Sequence, residues 1–318
     1  MNRKLLILRK VRARHSEGHR PEFCSAAPLT MLKPAALSQD GPDPARGEIH
    51  RGERFPFGAN WAAFLRVLDE DRIATARRAL AEMLGREDLS GLRFLDIGSG
   101  SGLSSLAARR MGAKVTSFDY DAGSVGCTQE LRRRYFPDDP DWRVEQGSAL
   151  DAAYLASLGP FDIVYSWGVL HHTGRMWQGL DLAAKMVAPG GLLYVAIYND
   201  QGAWSKRWAR IKRFYCSGPR ARLLVSGVFI PWWVARQFLA DLVWRRNPVA
   251  YYRGYRRQRG MSVWHDWHDW LGGYPFEVAK PEELLAFYRD RGFELVRMKT
   301  AGGSVGCNEM VFRRRAET

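Results

Sequence analysis

Phe94-Leu95-Asp96-Ile97-Gly98-Ser99-Gly100-Ser101-Gly102 is a short apolar strand that runs into three glycines, each separated by one residue. A helix-like run, Leu103 to Arg110, follows at once. Glycine reaches backbone angles closed to other residues, and its missing side chain lets a ligand lie against the main chain. A helix that starts there points its free N–H groups and positive dipole end at the same spot. The stretch predicts a nucleotide-type site at the carboxyl end of a first parallel strand.

The spacing is Gly-x-Gly-x-Gly, not the Gly-x-Gly-x-x-Gly of dinucleotide sites. Asp96 stands two residues before the first glycine, where its charge would repel a pyrophosphate and attract a cationic amine. S-adenosylmethionine (SAM) carries such an amine and no phosphate. The competing reading makes Asp96 a helix-cap or turn carboxylate. Leu95 to Gly102 resembles the first motif of the class I SAM-dependent methyltransferases. That resemblance implies a cofactor site built on Asp96, Gly98, Ser99, Gly100 and Gly102.

Strand and helix alternate onward from this motif, the mark of a parallel sheet. The expected strands are Arg93–Ile97, Lys114–Phe118 ending on Asp119, Trp142–Glu145, Phe161–Trp167 and Leu192–Tyr198. A helix from Met176 to Val187 precedes Pro189-Gly190-Gly191. Beyond a long insertion come a helix at Pro281–Arg291 and strands at Phe293–Lys299 and Cys307–Arg313. Before the motif, Phe64, Leu65, Leu68, Ile73, Ala76, Leu80 and Met83 recur at helical spacing and predict two helices. Phe57 and Trp61 lead into them, as a lid over the cofactor or as plain packing. Family order and spacing hold through Asp119, the Gly147-Ser148-Ala149 turn, the Phe161-Asp162 pair and Ala188-Pro189-Gly190-Gly191. The resemblance therefore implies an α/β fold, a Rossmann-like doubly wound sheet of seven strands with the last antiparallel. N-terminal helices precede it, and a helical cap is inserted after strand five. The expected division is a basic, disordered tail over 1–50, a core with its lid over 51–200, the cap over 201–275, and the end of the core over 276–318.

Asp119 follows Asp96 by 23 residues, where a carboxylate can accept both ribose hydroxyls of an adenosine laid across the loop. Asp121 competes and is less favoured by position. The resemblance places Ser148 and Ala149 at the adenine and gives Asp162 a local structural role; Trp167, which ends strand four, is a further cofactor candidate. Strand four ends in Leu170-His171-His172, at the mouth where an acceptor must approach in line. An oxygen or carbon acceptor must lose a proton, and histidine suits that work. His171 and His172 are thus the catalytic candidates, with loop packing as the alternative.

The 318 residues carry a net charge of +14, unevenly placed. Residues 201–260 hold fourteen Lys/Arg against Asp241 alone, a balance of +13, and twelve aromatics. Residues 1–51 carry +5, so the remainder is mildly acidic. Within the insertion, Leu223–Trp244 is apolar with Trp ends and basic flanks, as an interfacial helix requires. It reads as too short, and too interrupted by Pro231, Arg236 and Asp241, to span a bilayer. Peripheral contact with an anionic membrane, grip on nucleic-acid phosphates and a folded cap with solvated arginines are the three readings of 203–259. The first favours a lipophilic or aromatic small-molecule acceptor; the second would make the chain an RNA methyltransferase.

His268-Asp269-Trp270 followed by Pro281-Glu282-Glu283-Leu284, after an insertion at this place, resembles the ubiquinone-biosynthesis O-methyltransferases. The chain departs from them in a second His265-Asp266-Trp267, in the Gly272–Glu277 turn, and in His171-His172 where they carry a Glu-His pair. His265, Asp266, His268 and Asp269 read as metal ligands or, alternating with tryptophan, as packing; no metal is assigned. Cys24, Cys127, Cys216 and Cys307 form no close pair, which fits a reducing cytoplasm. Met1–Arg14, basic around Leu5-Leu6-Ile7-Leu8, reads as a tail, an address or an upstream start.

Overall fold

The computed structural model describes residues 44–244, 247 and 263–316. The expectations for 1–43, and for the basic run 248–262, lie outside them. Three helices precede the sheet: α1 (Pro44–His50), α2 (Phe57–Leu65) and α3 (Glu70–Leu84). The first is a correction, since 44–50 reads from sequence as part of a disordered tail. What fixes it is tertiary: Glu48 accepts from Arg54 Nε at 2.6 Å and from Tyr120 Oη at 2.9 Å. Asp69 caps α3 by accepting from Arg72 N, and Gly85 closes it in the left-handed region.

The strands are β1 (Arg93–Ile97), β2 (Lys114–Asp119), β3 (Trp142–Gln146), β4 (Phe161–Trp167), β5 (Val187–Tyr198), β6 (Phe293–Lys299) and β7 (Cys307–Arg314). Between them run α4 (Leu103–Arg110), α5 (Ala122–Tyr135), α6 (Ala152–Leu158) and α7 (Met176–Lys185). The insertion supplies α8 (Ala203–Cys216), α9 (Pro219–Val243) and α10 (Val263–Gly272), and α11 is Pro281–Arg289. Strand order is β3-β2-β1-β4-β5-β7-β6, with β1 to β5 parallel and β7 antiparallel to both neighbours. The doubly wound sheet is therefore as expected. The order reverses between β1 and β4, and such a reversal opens a ligand crevice at the strands' carboxyl ends. The seventh helix stops two residues earlier than expected, because Val187 already pairs with Phe161 in the sheet.

Period-two alternation sends each strand's side chains to two cores. Phe94 packs with Tyr165, Tyr194, Leu106 and Leu131 on one face. Leu95, Ile97, Val164 and Val195 pack with Leu180, Leu284 and Tyr288 on the other. A third, smaller core joins Phe55 to Tyr215, Cys216, Val225, Ile230 and Leu271, with Phe57, Trp208, Trp233 and Trp270 against it. The chain before β1 and the insertion thus share one hydrophobic roof.

The expectation about α9 fails on length. It is one continuous helix of 25 residues, about 37 Å at 1.5 Å per residue. Among the described residues it is the one helix long and apolar enough to cross a membrane. Pro231 does not break it: the ring lies on the exposed side, where the Gly227 carbonyl that loses its donor can meet water.

Candidate active site

The loop after β1 is built on left-handed backbone. Gly98, Gly100 and Gly102 have φ of +77°, +55° and +80°, a region that costs other residues about 1–2 kcal/mol. Gly98 N and Ser99 N both donate to the Phe118 carbonyl, at 2.9 and 3.0 Å. Gly102 caps α4 without a side chain. Space is also limiting. A Cβ on Gly98 would lie 2.6 Å from Val169 Cγ2, and one on Gly100 would lie 2.9 Å from Trp61 Nε1. Trp61 of α2 therefore lies directly against the loop, where a lid residue would sit.

Asp119 binds that loop to the end of β2. Its Oδ2 accepts from Gly100 N at 2.9 Å and its Oδ1 from Asp121 N at 3.0 Å. Burial pushes its pKa up to about 6, against these two donors and the Arg54 charge. Asp121 is committed elsewhere: it caps α5 through Gly123 N and holds Gly58 N of α2, both at 2.8 Å. Asp96 shares its strand face with Phe94 and points under α4. Its Oδ2 accepts from Ser105 Oγ at 2.5 Å, and Ser105 also meets Ser117 Oγ at 2.7 Å. Burial pushes its pKa up to about 7, with Asp119 adding to the rise. Two desolvated carboxylates at a glycine loop suit a ligand that brings an ammonium group and vicinal hydroxyls. That donor set fits SAM.

The other cofactor candidates are spread around this crevice. Ser99 Oγ lies 2.9 Å from Thr128 Oγ1. Ser148 Oγ accepts from Leu150 N at 3.2 Å, and Ala149 packs into the core below. Gly147 N donates to the Asp119 carbonyl, which brings the Gly-Ser-Ala turn to the end of β2. Trp167 is half exposed, and its indole N–H donates to Glu309 of β7 at 3.2 Å. It therefore leans along the sheet away from the glycine loop. Asp162 accepts from Arg93 N at 2.8 Å, the local role expected of it.

His171 and His172 form a single turn of 3-10 helix with Leu170. His171 is fully buried, its ring 4.0 Å from that of Tyr198, and its Nδ1 accepts from Tyr198 N at 3.3 Å. Its Nε2 is buried without a hydrogen-bond partner. His172 Nδ1 lies 2.6 Å from the Pro275 carbonyl, so Nδ1–H is the donor there and Nε2 keeps the lone pair. Burial drives the His171 pKa well down, and lowers His172 to about 3. The Lys212 charge adds to both. Both rings are neutral at physiological pH.

Tyr198, Asn199, Ser205, Trp208, Trp270 and Phe276 line a small cavity beside this pair. Ser205, Trp208 and Lys212 fall on one face of α8, spaced three and four residues apart. Lys212 is fully buried, donates to the Trp270 carbonyl, and lies 4.8 Å from the Trp270 ring and 5.0 Å from that of Phe276. From sequence it reads only as one of fourteen basic residues; the shared face with Trp208 was the available signal. Arg54 was also missed. It stacks over Tyr120 at 4.8 Å, pairs with Glu48 and donates to the His172 carbonyl at 3.2 Å. It thereby ties the cofactor side of the crevice to the acceptor side. Side chains at 265, 266 and 269 lie outside the description. His268 Nδ1 meets Tyr215 Oη at 2.6 Å, and no metal-binding cluster occurs among the described residues.

Residues 68–247 match the family described as "Methyltransferase domain". A protein named ubiquinone biosynthesis O-methyltransferase from Caulobacter sp. (strain K31) is 30% identical over 184 residues, 56% of this chain and 68% of that one. The protein of that name from Rhizobium rhizogenes is 38% identical over 134 residues, 40% of this chain and 52% of that one. One from Rhizobium leguminosarum bv. trifolii is 34% identical over 170 residues, 49% of this chain and 65% of that one. The aligned part thus spans 52% to 68% of these relatives' length. With its strand order, glycine loop and matched region taken together, the chain belongs to the methyltransferase-domain family.

Proposed function

We propose that the protein moves a methyl group from SAM to an oxygen of a lipophilic or aromatic small molecule. When bound, SAM supplies an electrophilic methyl on a sulfonium. Asp119 would accept the ribose hydroxyls, Asp96 would balance the amine once ionised, Ser148 and Ala149 would border the adenine, and Gly98 to Gly102 would lie under the ligand. Trp61 and Phe57 cover the site, and Arg54 holds that cover to His172. Displacement at a sulfonium is mostly a matter of alignment, so positioning and exclusion of water are the chain's main contributions. His172 is the better candidate to meet the acceptor's hydroxyl: the Pro275 carbonyl fixes its tautomer with Nε2 free to accept a hydrogen bond, while a pKa lowered to about 3 makes it the group that aligns that hydroxyl rather than the one that holds its proton. His171 is sealed and positions Tyr198.

The observation that carries this reading is the placement of two surfaces about β4: an acidic glycine loop on one side, and on the other the aromatic side chains Tyr198, Trp208, Trp270 and Phe276, around a cavity of about 20 Å³ that must widen to admit an acceptor. The aromatic wall supports a lipophilic acceptor, and contact with an anionic membrane through 203–259 belongs to the same reading. Incubation with methyl-labelled SAM and a bacterial lipid extract tests it: label entering the organic phase supports the reading. Label entering RNA instead, with binding that weakens steeply as salt rises, would replace it with the nucleic-acid reading.

A further inference from the structure

The helix α9 is turned inside out. Its protein-facing side carries Val225 and Ile230 but also the buried Asp241, which accepts from Gln237 Nε2 at 3.0 Å. Its other side presents Leu224, Val228 and Leu239 at 62%, 64% and 59% exposure, with Trp232, Phe238 and Val243 also exposed. Between Leu223 and Val243 the single exposed charged residue is Arg236. A helix facing water shows the reverse pattern. Beside it, α8 exposes Lys206, Arg207, Arg210 and Arg213 together with Trp204 and Phe214, and contains no acid.

We propose that this face of α9 lies in the interface of an anionic lipid bilayer, with the α8 cations at the headgroups. A lipophilic acceptor dissolved in that bilayer would lie beside the aromatic roof of Trp208, Phe229, Trp233 and Trp270, next to the Tyr198–Trp270 cavity. The proposal deepens the acceptor reading above and rests on it for that last step. Charge selects the occupant. A second copy would set one α8 against another of the same sign, which is unfavourable, whereas anionic headgroups attract it. Geometry selects lying in the plane over crossing it. Trp233 and Phe229 are held against Trp270 and Trp208 at 5.3 and 5.1 Å, and a spanning α9 would strip them away. It would also carry Arg222, Gln237 and Asp241 into hydrocarbon, where polar side chains are expensive.

Sedimentation of the full chain with phosphatidylglycerol vesicles, beside phosphatidylcholine vesicles, tests this. Binding to the anionic vesicles alone, or much more strongly, is expected. Each cation near such a surface changes partitioning about fivefold, so R210E/R213E should lose at least tenfold. L224E/L239E, whose side chains already meet solvent, should lose as much while S-adenosylhomocysteine affinity stays unchanged. The proposal is overturned if the wild type does not prefer anionic vesicles, or if L224E/L239E binds them as well as the wild type. A dimer that L224E/L239E dissolves, with no vesicle binding, also overturns it. Should either variant fail to fold, the wild-type preference alone decides. Intact S-adenosylhomocysteine binding in a protein that ignores vesicles would sink this proposal and leave the methyltransferase reading standing.

Discussion

Asp119→Asn isolates the carboxylate from its shape. Asp119 already accepts from Gly100 N and Asp121 N, so its remaining lone pairs are the ones that the proposal assigns to a ribose. Hydrogen bonds to a charged group contribute about 1.5–3 kcal/mol. Removing one such interaction should weaken SAM binding about ten- to 150-fold at pH 8. The same substitution removes a charge that burial disfavours, and leaves one backbone N–H facing an amide N–H. These two effects on stability oppose each other, so the melting temperature should move little. A second signature follows from the pKa of about 6. At pH 5 only about a tenth of the wild-type carboxylate is ionised, so the wild-type advantage over Asn should shrink about tenfold. Calorimetric titration of both proteins at pH 8 and pH 5 reads all of this. Equal affinities at pH 8, or a wild-type advantage indifferent to pH, would refute the assignment.

Other outcomes follow from single contacts. A Cβ on Gly272 would overlap the Phe55 ring; Gly272→Ala should cost about 1–3 kcal/mol by overpacking, seen as a lower melting temperature. His172→Ala should keep SAM affinity and lose turnover by about 10²-fold or more; full activity would return His172 to packing. Arg54→Met should release the cover from Tyr120 and His172 and raise the apparent KM for SAM, while a chain with unchanged KM and kcat would show that Arg54 only packs. Asp96 is raised to about 7, so its folded form binds protons more readily than its unfolded form. The unliganded protein therefore loses that part of its stability as pH rises from about 4 toward 7. SAM brings a cation to that region, so in Asp119→Asn, where the Asp119 titration is absent, the melting-temperature gain from SAM should still be larger at pH 8 than at pH 5; an equal gain there would remove Asp96 from the amine.

The sheet and the glycine loop were legible because their causes are local. Phe94, Asp96 and the alternation through β1 report the two faces of the sheet directly, and three glycines mark three left-handed positions. Asp119 was legible as the carboxylate that ends the second strand beside the glycine loop, where it accepts from Gly100 N. Residues whose role depends on distant partners were not legible. Arg54 acts through Glu48, Tyr120 and His172, the last 118 residues away. Lys212 looked like a solvated charge until α8 turned it beneath Trp270. For α9, periodicity shows which residues share a face and cannot show whether another element covers it. From sequence the apolar side therefore read as an interfacial helix or as part of a folded cap, and the structure leaves it bare. Likewise 44–50 has a composition suited to disorder, and only contact with Arg54 and Tyr120 makes it a helix.

The central claim is that SAM lies across Gly98–Gly102 with its ribose on Asp119. The most direct measurement is calorimetric titration of S-adenosylhomocysteine into the full chain and into Gly98→Val, each checked for folding by circular dichroism. The account predicts binding of one molecule per chain in the wild type. In the folded variant binding should be lost, because a side chain at Gly98 collides with Val169 and occupies left-handed backbone. A wild type that does not bind, or a folded Gly98→Val that binds equally well, would contradict it.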